Sequence, residues 1–350
     1  MARRPALRAA ARLLLVAAAA SLGLGAAAPE AFRWNLPPGV APPPVPTDNP
    51  MTVEKVELGR RLFYDADLSI DGTTACATCH EQHRGFADGD ATHPGAGGAP
   101  GRRNVMGLAN VGYLSPLTWA DPRQRSLEHQ LLTPMFGDHP VEMGMSPTST
   151  VLHDRLAEDA CYPRMFAAAF PEDGGGIEAA TVAKAIAAFE RSLVSFDSPF
   201  DRAHRGDATA MTDDARRGER LFRDERVGCA GCHAGPLFTD RRFHRLDAPS
   251  AAAADRGLWE VTGLGRDDQA FRTPSLRNVA LTAPYLHDGS AQTLAAAIRA
   301  HGPRGQALGE TETAALVAFL DSLSDPGFAA NPAYRLPPPC PRPDGATAPP

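Results

Sequence analysis

The stretch TTACATCHEQHRGF, residues 73–86, contains the pattern C-x-x-C-H. A second stretch, VGCAGCHAGPLF, residues 227–238, contains the same pattern. In each, two thiols lie three residues apart and an imidazole follows at once. The residues of the two motifs are Cys76, Cys79 and His80, and Cys229, Cys232 and His233.

Two thiols at this spacing can bond to the two vinyl groups of one haem, and the adjacent histidine can then ligate the iron. A zinc site could use the same thiols, but zinc does not need a histidine directly after both pairs. A thioredoxin-like redox pair would need a βαβ context, which the sequence lacks. The motifs therefore predict two covalently bound c-type haems.

The N-terminal segment, residues 1–28, has the pattern of a secretory signal peptide. Four arginines precede an apolar run and then small residues up to Ala28, near which we expect cleavage. A retained anchor is the alternative reading. Removing the arginines changes the formal net charge from −6 to −6 − 4 = −10. Such an acidic chain is not expected to bind nucleic acid, and no other segment is apolar enough to span a membrane. We predict export to the periplasm, where haem is attached.

Helical periodicity and long loops rich in Gly, Pro and Ala predict a mostly α fold: two cytochrome c-like haem domains with long irregular loops. Helices are expected at roughly 52–65 and 181–195, with two more near Leu294 and Leu316. The expected divisions are a Pro-rich N-terminal arm at 29–50, a first haem domain at 51–200, a second at 201–330 and a Pro-rich tail at 331–350.

The pattern G-x-R-L-F-x-D occurs twice, starting at Gly59 and at Gly218, each time before a C-x-x-C-H motif. This internal repeat indicates two related modules. Two cysteines remain outside the motifs, Cys161 and Cys340. In an oxidising compartment they are expected to form a disulfide, the alternative being two unpaired, semi-buried thiols.

Taken together, residues 52–324 resemble the di-haem cytochrome c peroxidase and MauG family. The resemblance is carried by CATCHEQHRGFADG, GRRNVMGLAN, SLEHQLLTP, HPVEMG, FRTPSLRNVALTAPYLHDGS and TLAAAIRAHG. The opening FRWNLPPGVAPPPVPTDNPMTVEKVELGRRLFYD is similar to the MbnH-like branch. That branch is implied to oxidise tryptophan to kynurenine on a partner protein in copper-handling systems.

The resemblance implies that the first haem reacts with hydrogen peroxide, and it assigns a far side to that haem. Gln130 and Pro134 match two far-side positions, and Glu142 matches the carboxylate after a two-residue insertion. A carboxylate over the iron can move a proton between the peroxide oxygens. Trp119 matches, with one inserted residue, the tryptophan that lies between the haems and relays oxidising equivalents.

Two histidines differ from the pattern of the ordinary peroxidases. His93 lies in the loop that carries a capping histidine there, but it matches only after a shift of about three residues, so we expect a solvated loop histidine. The far-side ligand of the second haem is Met in the peroxidases and Tyr in MauG. Here the matching position is His301, which predicts His233/His301 ligation of the electron-transfer haem.

A calcium ion is also implied, held by the Asn104 side chain and the carbonyls of Thr282 and Pro284. The leading functional hypothesis is therefore peroxide-driven oxidation of tryptophan on an exported, possibly copper-related, partner. One alternative is a cytochrome c peroxidase that reduces hydrogen peroxide with electrons from a small cytochrome c. The other is a non-catalytic electron carrier, against which Glu142 argues, because a carrier needs no distal acid.

Overall fold

The fold is mostly α-helical, as the sequence predicts. We describe it from a computed structural model over residues 29–246 and 254–340, so the predicted signal peptide lies outside the described residues. The α-helices in these ranges are α1 Val53–Phe63, α2 Cys76–Cys79, α3 Leu127–Gln130, α4 Leu132–Phe136, α5 Val151–Glu158, α6 Tyr162–Ala169, α7 Ala179–Ser192, α8 Pro199–His204, α9 Asp213–Arg223, α10 Trp259–Thr262, α11 Leu294–Ala300, α12 Pro303–Gln306, α13 Glu310–Asp321 and α14 Pro326–Ala330.

Other regular structure is short. Strand β1, Phe243–His244, pairs antiparallel with strand β2, Phe271–Arg272. Nine 3₁₀ turns punctuate the described loops: Ala66–Leu68, Gln82–Arg84, Ala96–Gly98, Val111–Tyr113, Pro171–Asp173, Cys229–Gly231, Gly265–Asp267, Val279–Leu281 and Pro332–Tyr334. Within residues 29–246 and 254–340, no helix is long and apolar enough to cross a membrane.

The two copies of the G-x-R-L-F-x-D pattern have the same packing role in the two modules. Helix α1 packs on α7, and α9 packs on α13. A side chain at Gly59 would collide with the carbonyl oxygen of Ala185, and one at Gly218 with that of Ala315. Both glycines therefore allow two helix backbones to approach closely. In each pair, one helix precedes a C-x-x-C-H motif in the chain and the other follows it.

Helix α7 forms the centre of the first module. Val182, Ile186 and Phe189, the residues at helical spacing in the sequence, are fully buried. The helix spans residues 179–192 rather than the expected 181–195. The N-terminus of the facing helix α1 is capped by Thr52, whose hydroxyl accepts from the amide of Lys55.

Two hydrophobic cores correspond to the two modules. The first surrounds α1 and α7, and the second surrounds α9 and α13. Phe328 and Tyr334, near the end of the chain, pack into the first core rather than the second. The chain therefore returns to its first module before it ends.

The disulfide expected between Cys161 and Cys340 is present. Its Cα atoms are 6.0 Å apart and 179 residues separate the cysteines. Arg61 reinforces the return of the chain by donating to the carbonyl of Pro338, 2.6 Å away. The bond fixes the end of the described chain to helix α6, whose N-terminus lies at Cys161.

The close approach at Gly59 leads to a stability prediction. In Gly59→Ala the new methyl group meets the Ala185 carbonyl, so we expect a loss of about 1–3 kcal/mol of unfolding free energy through overpacking. The denaturant midpoint of the haem-loaded protein measures this loss. Gly265→Ala is the control, because no atom lies within 4 Å of the added group. Equal midpoints for the two variants would contradict the packing role.

Candidate haem-binding sites

The first motif presents its histidine through a tight turn. Cys76 and Cys79 lie in α2, and His80 follows as its C-cap. The Nδ1–H of His80 donates to the carbonyl of Phe86 at 2.7 Å, and Phe86 has a positive φ of 62°. This bond assigns the tautomer and leaves Nε2 as the nitrogen that can bind a metal. Burial lowers the pKa of His80 to about 4, so the imidazole is neutral, as ligation requires.

The second motif repeats this arrangement. Cys229 begins a 3₁₀ turn that ends at Gly231. The Nδ1–H of His233 donates to the carbonyl of Phe238 at 3.1 Å, and Phe238 has a positive φ of 52°. Burial lowers the pKa of His233 to about 4 as well. Sequence reasoning missed both phenylalanines, although the repeated HRGF and GPLF segments after the motifs could have indicated them.

A large cavity adjoins the second motif, and we call it the second cavity after that motif. Its volume is about 530 Å³, within the usual range for cofactor sites. Both cysteines of the motif, His233 and His301 line it. Apolar side chains from α9, α11 and α13 form much of the remaining wall: Phe222, Leu294, Ile298, Leu316 and Leu320. Paired thiols, an imidazole and an apolar wall fit a covalently attached haem.

His301 faces His233 across this cavity. The two ring centroids are 6.3 Å apart, with an angle of 56° between the ring planes. A metal–imidazole bond is about 2 Å long and the ring centre lies about 1 Å beyond the nitrogen, so two axial imidazoles should be about 6 Å apart. The Nδ1–H of His301 donates to the carbonyl of Ala297 at 2.7 Å, which again leaves Nε2 for a metal. The two histidines could therefore hold one iron from opposite sides.

Glu142 lies in a loop that the structure brings to the first motif. The amide of Met143 donates to the carbonyl of Pro134 at 2.9 Å, and the amide of Ala96 donates to the carbonyl of Glu142 at 2.7 Å. Burial raises the pKa of both Cys76 and Cys79, and the nearby Glu142 charge raises it further. Its side chain is accessible, yet enough protein surrounds it that desolvation raises its own pKa.

The other two expected far-side residues belong to the adjoining helices. Gln130 is the last residue of α3, and Pro134 lies one turn further on, in α4. Both side chains are half-buried. Because Pro134 accepts from the Glu142 loop, the three positions belong to one connected segment.

The expectation of a solvated His93 is wrong. Only 18% of its side chain is exposed, and its Nδ1 lies 2.8 Å from a carboxylate oxygen of Asp88, which is itself buried. The His93 charge also lowers the pKa of His80, so the loop lies near the first motif. Sequence periodicity could not reveal this pair, because the contact depends on the path of an irregular loop.

Trp119 and the three expected calcium ligands lie along the second cavity. The indole N–H of Trp119 donates to the carbonyl of Asn104 at 2.8 Å. Asn104, Thr282 and Pro284 line the same cavity as Trp119. The Asn104 amide nitrogen donates to the carbonyl of Asp90 at 3.1 Å, which fixes the orientation of that side chain.

Two buried ionisable residues were not foreseen. Arg272 is 2% exposed, lines the second cavity and donates to the carbonyls of Leu117 and Thr118. Burial lowers its pKa to about 10. Glu190 is 5% exposed on α7, and burial raises its pKa to about 8. The sequence did contain a sign of Glu190, because an acidic residue interrupts the apolar pattern of α7 at this position.

Known proteins resemble this chain over most of its length. A family model described as di-haem cytochrome c peroxidase matches residues 53–209. Methylamine utilization protein MauG of Methylorubrum extorquens is 36% identical over 303 residues, which cover 83% of each chain. Cytochrome c551 peroxidase of Pseudomonas aeruginosa is 35% identical over 283 residues, covering 79% of this chain and 80% of the relative.

This chain belongs to the di-haem cytochrome c peroxidase and MauG family. It is a di-haem peroxidase-type oxidoreductase, and the family implies two haems, which the two motifs fit. A solved structure described as a MauG-like protein associated with microbial copper homeostasis is 40% identical, with a TM-score of 0.81. The match covers 88% of this chain and 99% of that one.

The buried acid on α7 gives a pH prediction. The pKa of Glu190 is about 8 in the folded protein, against 4.5 for the free group. Between these values the folded state binds more protons than the unfolded state, so Glu190 lowers stability progressively as pH rises. In Glu190→Gln we expect a gain over the wild type that grows to roughly a few kcal/mol between pH 5 and pH 8.

Unfolding midpoints measured across this range test the prediction. Glu158→Gln is the control, because Glu158 is an exposed carboxylate at the end of α5. Parallel pH profiles for Glu190→Gln and wild type would show that Glu190 does not hold its proton in the folded protein.

Proposed function

We propose that this enzyme uses hydrogen peroxide to oxidise a tryptophan on an exported partner protein, converting it to kynurenine. The observation that carries the proposal is the 6.3 Å separation of the His233 and His301 rings. It supports a second haem with two imidazole ligands, where ordinary peroxidases of the family have methionine.

The identity of the axial ligands matters because it sets the reduction potential of the iron. Methionine ligation raises a haem's reduction potential. A second neutral imidazole, held by the Ala297 carbonyl, instead favours the ferric and higher states. Such a haem is poorly suited to accept electrons from a high-potential cytochrome. It is better suited to an enzyme that stores oxidising equivalents until a protein substrate arrives.

The chain's own residues supply proton control at the first site. When bound, the haem supplies an iron that reacts with peroxide and holds oxidising equivalents. Glu142 is the proposed acid and base, since desolvation raises its pKa toward the range where it can exchange a proton. Gln130 and Pro134 are proposed to line the same side, the former as a hydrogen-bonding group and the latter as packing.

Trp119 is the proposed relay between the two sites. Its indole N–H is fixed by the carbonyl of Asn104, so the ring has a defined orientation along the cavity. Calcium is proposed at Asn104, Thr282 and Pro284, where oxygen ligands suit that ion. Such an ion would hold the segment that accepts the Trp119 hydrogen bond.

The likeness to a MauG-like protein associated with copper homeostasis supports a copper-related partner. Export to the periplasm, as the N-terminal pattern predicts, would place the enzyme with such a protein. The second candidate is a peroxidase that takes electrons from a small cytochrome c. The 35% identity to a cytochrome c551 peroxidase favours it.

Intact mass of a partner protein separates these functions. The haem-loaded enzyme is mixed with the exported protein encoded beside it, and hydrogen peroxide is added. We expect a peroxide-dependent mass change that maps to one tryptophan. An unchanged partner, with peroxide consumed only when reduced cytochrome c is supplied, would leave the ordinary peroxidase.

The role of Glu142 gives a kinetic prediction. In Glu142→Gln the proton-transferring group is lost while the shape is kept, so we expect the reaction with peroxide to slow by about 10²–10⁴-fold. Stopped-flow absorbance of the haem-loaded protein measures this rate. Glu158→Gln serves as the matched control and should react like wild type. A rate for Glu142→Gln within about twofold of wild type would remove Glu142 from the proton-transfer role.

A further inference from the structure

Trp259 carries a positive charge directly over its ring. The guanidinium carbon of Arg256 lies 3.3 Å from the centre of the indole. The Arg256 Nε donates to a carboxylate oxygen of Asp268 at 2.9 Å, which fixes the guanidinium in this position. The arrangement is a cation–π contact whose cation is held in place by Asp268.

The other two tryptophans have different surroundings. Trp119 donates its N–H to the Asn104 carbonyl, and Trp34 packs edge-on against Phe32 at 5.1 Å. Among the residues that the structure describes, Trp259 is the one tryptophan with a cation over its ring. The backbone of Arg272 contacts that of Trp119, but its guanidinium donates to the carbonyls of Leu117 and Thr118, the two residues before Trp119.

Trp259 belongs to a segment that is hydrogen-bonded to part of the wall of the second cavity. The amide of Leu258 donates to the carbonyl of Ala270 at 2.9 Å, and the next residue, Phe271, lines the cavity. On its other side, Glu260 pairs with Arg102, two residues before the carbonyl that accepts from Trp119. Trp259 itself is half-buried. The residues on either side of Trp259 are thus attached to segments that line or adjoin this cavity, which fits a covalently attached haem.

A cation over the ring opposes oxidation of the indole. Removing one electron from tryptophan leaves a positive charge on the ring, and Arg256 would repel that charge at short range. The same cation attracts the electron-rich face of the neutral ring, so it stabilises the reduced form. Both effects raise the potential at which Trp259 loses an electron, and Asp268 offsets only part of them.

We propose that Arg256 is a specificity-determining residue that protects Trp259 from the enzyme's own oxidising power. Without it, Trp259 would lose two electrons and combine with one water molecule, and the indole and the water together would release two protons, so that the net gain is one oxygen atom. Hydrogen peroxide would take up those electrons and protons to form two molecules of water. The inference rests on the family's reaction with peroxide and not on the identity of a partner.

The test uses haem-loaded enzyme and hydrogen peroxide without any partner. In R256Q the charge is lost, but an amide remains that can bond to Asp268. We expect the peptide containing Trp259 to gain an oxygen atom at least about tenfold more often than in wild type, as peptide mass spectrometry measures. R256K keeps the cation and should stay within about threefold of wild type.

Matched controls separate protection from folding. R266Q removes a neighbouring exposed arginine, so Trp259 should remain unmodified. R256M is a second neutral variant of similar length, which serves if R256Q does not fold. Haem absorbance and circular dichroism establish that the compared proteins are equally loaded and folded.

Two results would overturn the inference. One is equal modification of Trp259 in wild type and in both neutral variants while peroxide is consumed at the same rate. The other is modification of Trp259 in R256K as extensive as in R256Q, which would show that the positive charge is not what protects the ring. An unmodified partner protein would instead contradict the proposed function and leave this result intact. A wild-type enzyme that does not react with peroxide would contradict both.

Discussion

The hydrogen bond from each motif histidine to a backbone carbonyl is the interaction on which the rest of the structure depends. In both modules the carbonyl belongs to a phenylalanine with positive φ, Phe86 or Phe238, five or six residues after the histidine. The bond fixes the tautomer and the ring direction before any metal arrives. Each phenylalanine ring is also buried in the core of its module, so the hydrophobic core and the ligand geometry are set by one residue.

The packing of both cores depends in turn on two glycines that let helix backbones approach each other closely. Gly59 and Gly218 occupy the same position in a repeated motif and meet the same kind of carbonyl on a facing helix. The two modules are therefore alike in packing and in how they present a histidine. They differ in what lies near each motif. A carboxylate loop containing Glu142 approaches the first motif, and the imidazole of His301 faces the second.

The sequence predicted what depends on local patterns. Residue spacing was enough to predict the haem-attachment motifs, the helical character and the helix around Phe189. The Cys161–Cys340 disulfide was predicted from the number of cysteines and from the oxidising compartment. It could not predict contacts made by irregular loops, which is why His93 was expected in solvent although Asp88 binds it. Nor could it predict Arg272, since a buried cation has no periodic signature.

We propose that His233 and His301 ligate one iron from opposite sides. The most direct measurement is electron paramagnetic resonance of the ferric, haem-loaded protein, combined with the reduction potential of the second haem in wild type and in H301M. We expect a low-spin signal of two imidazole ligands in wild type, and in H301M the loss of that signal together with a higher reduction potential. A wild-type signal unchanged in H301M, with an unchanged potential, would contradict it.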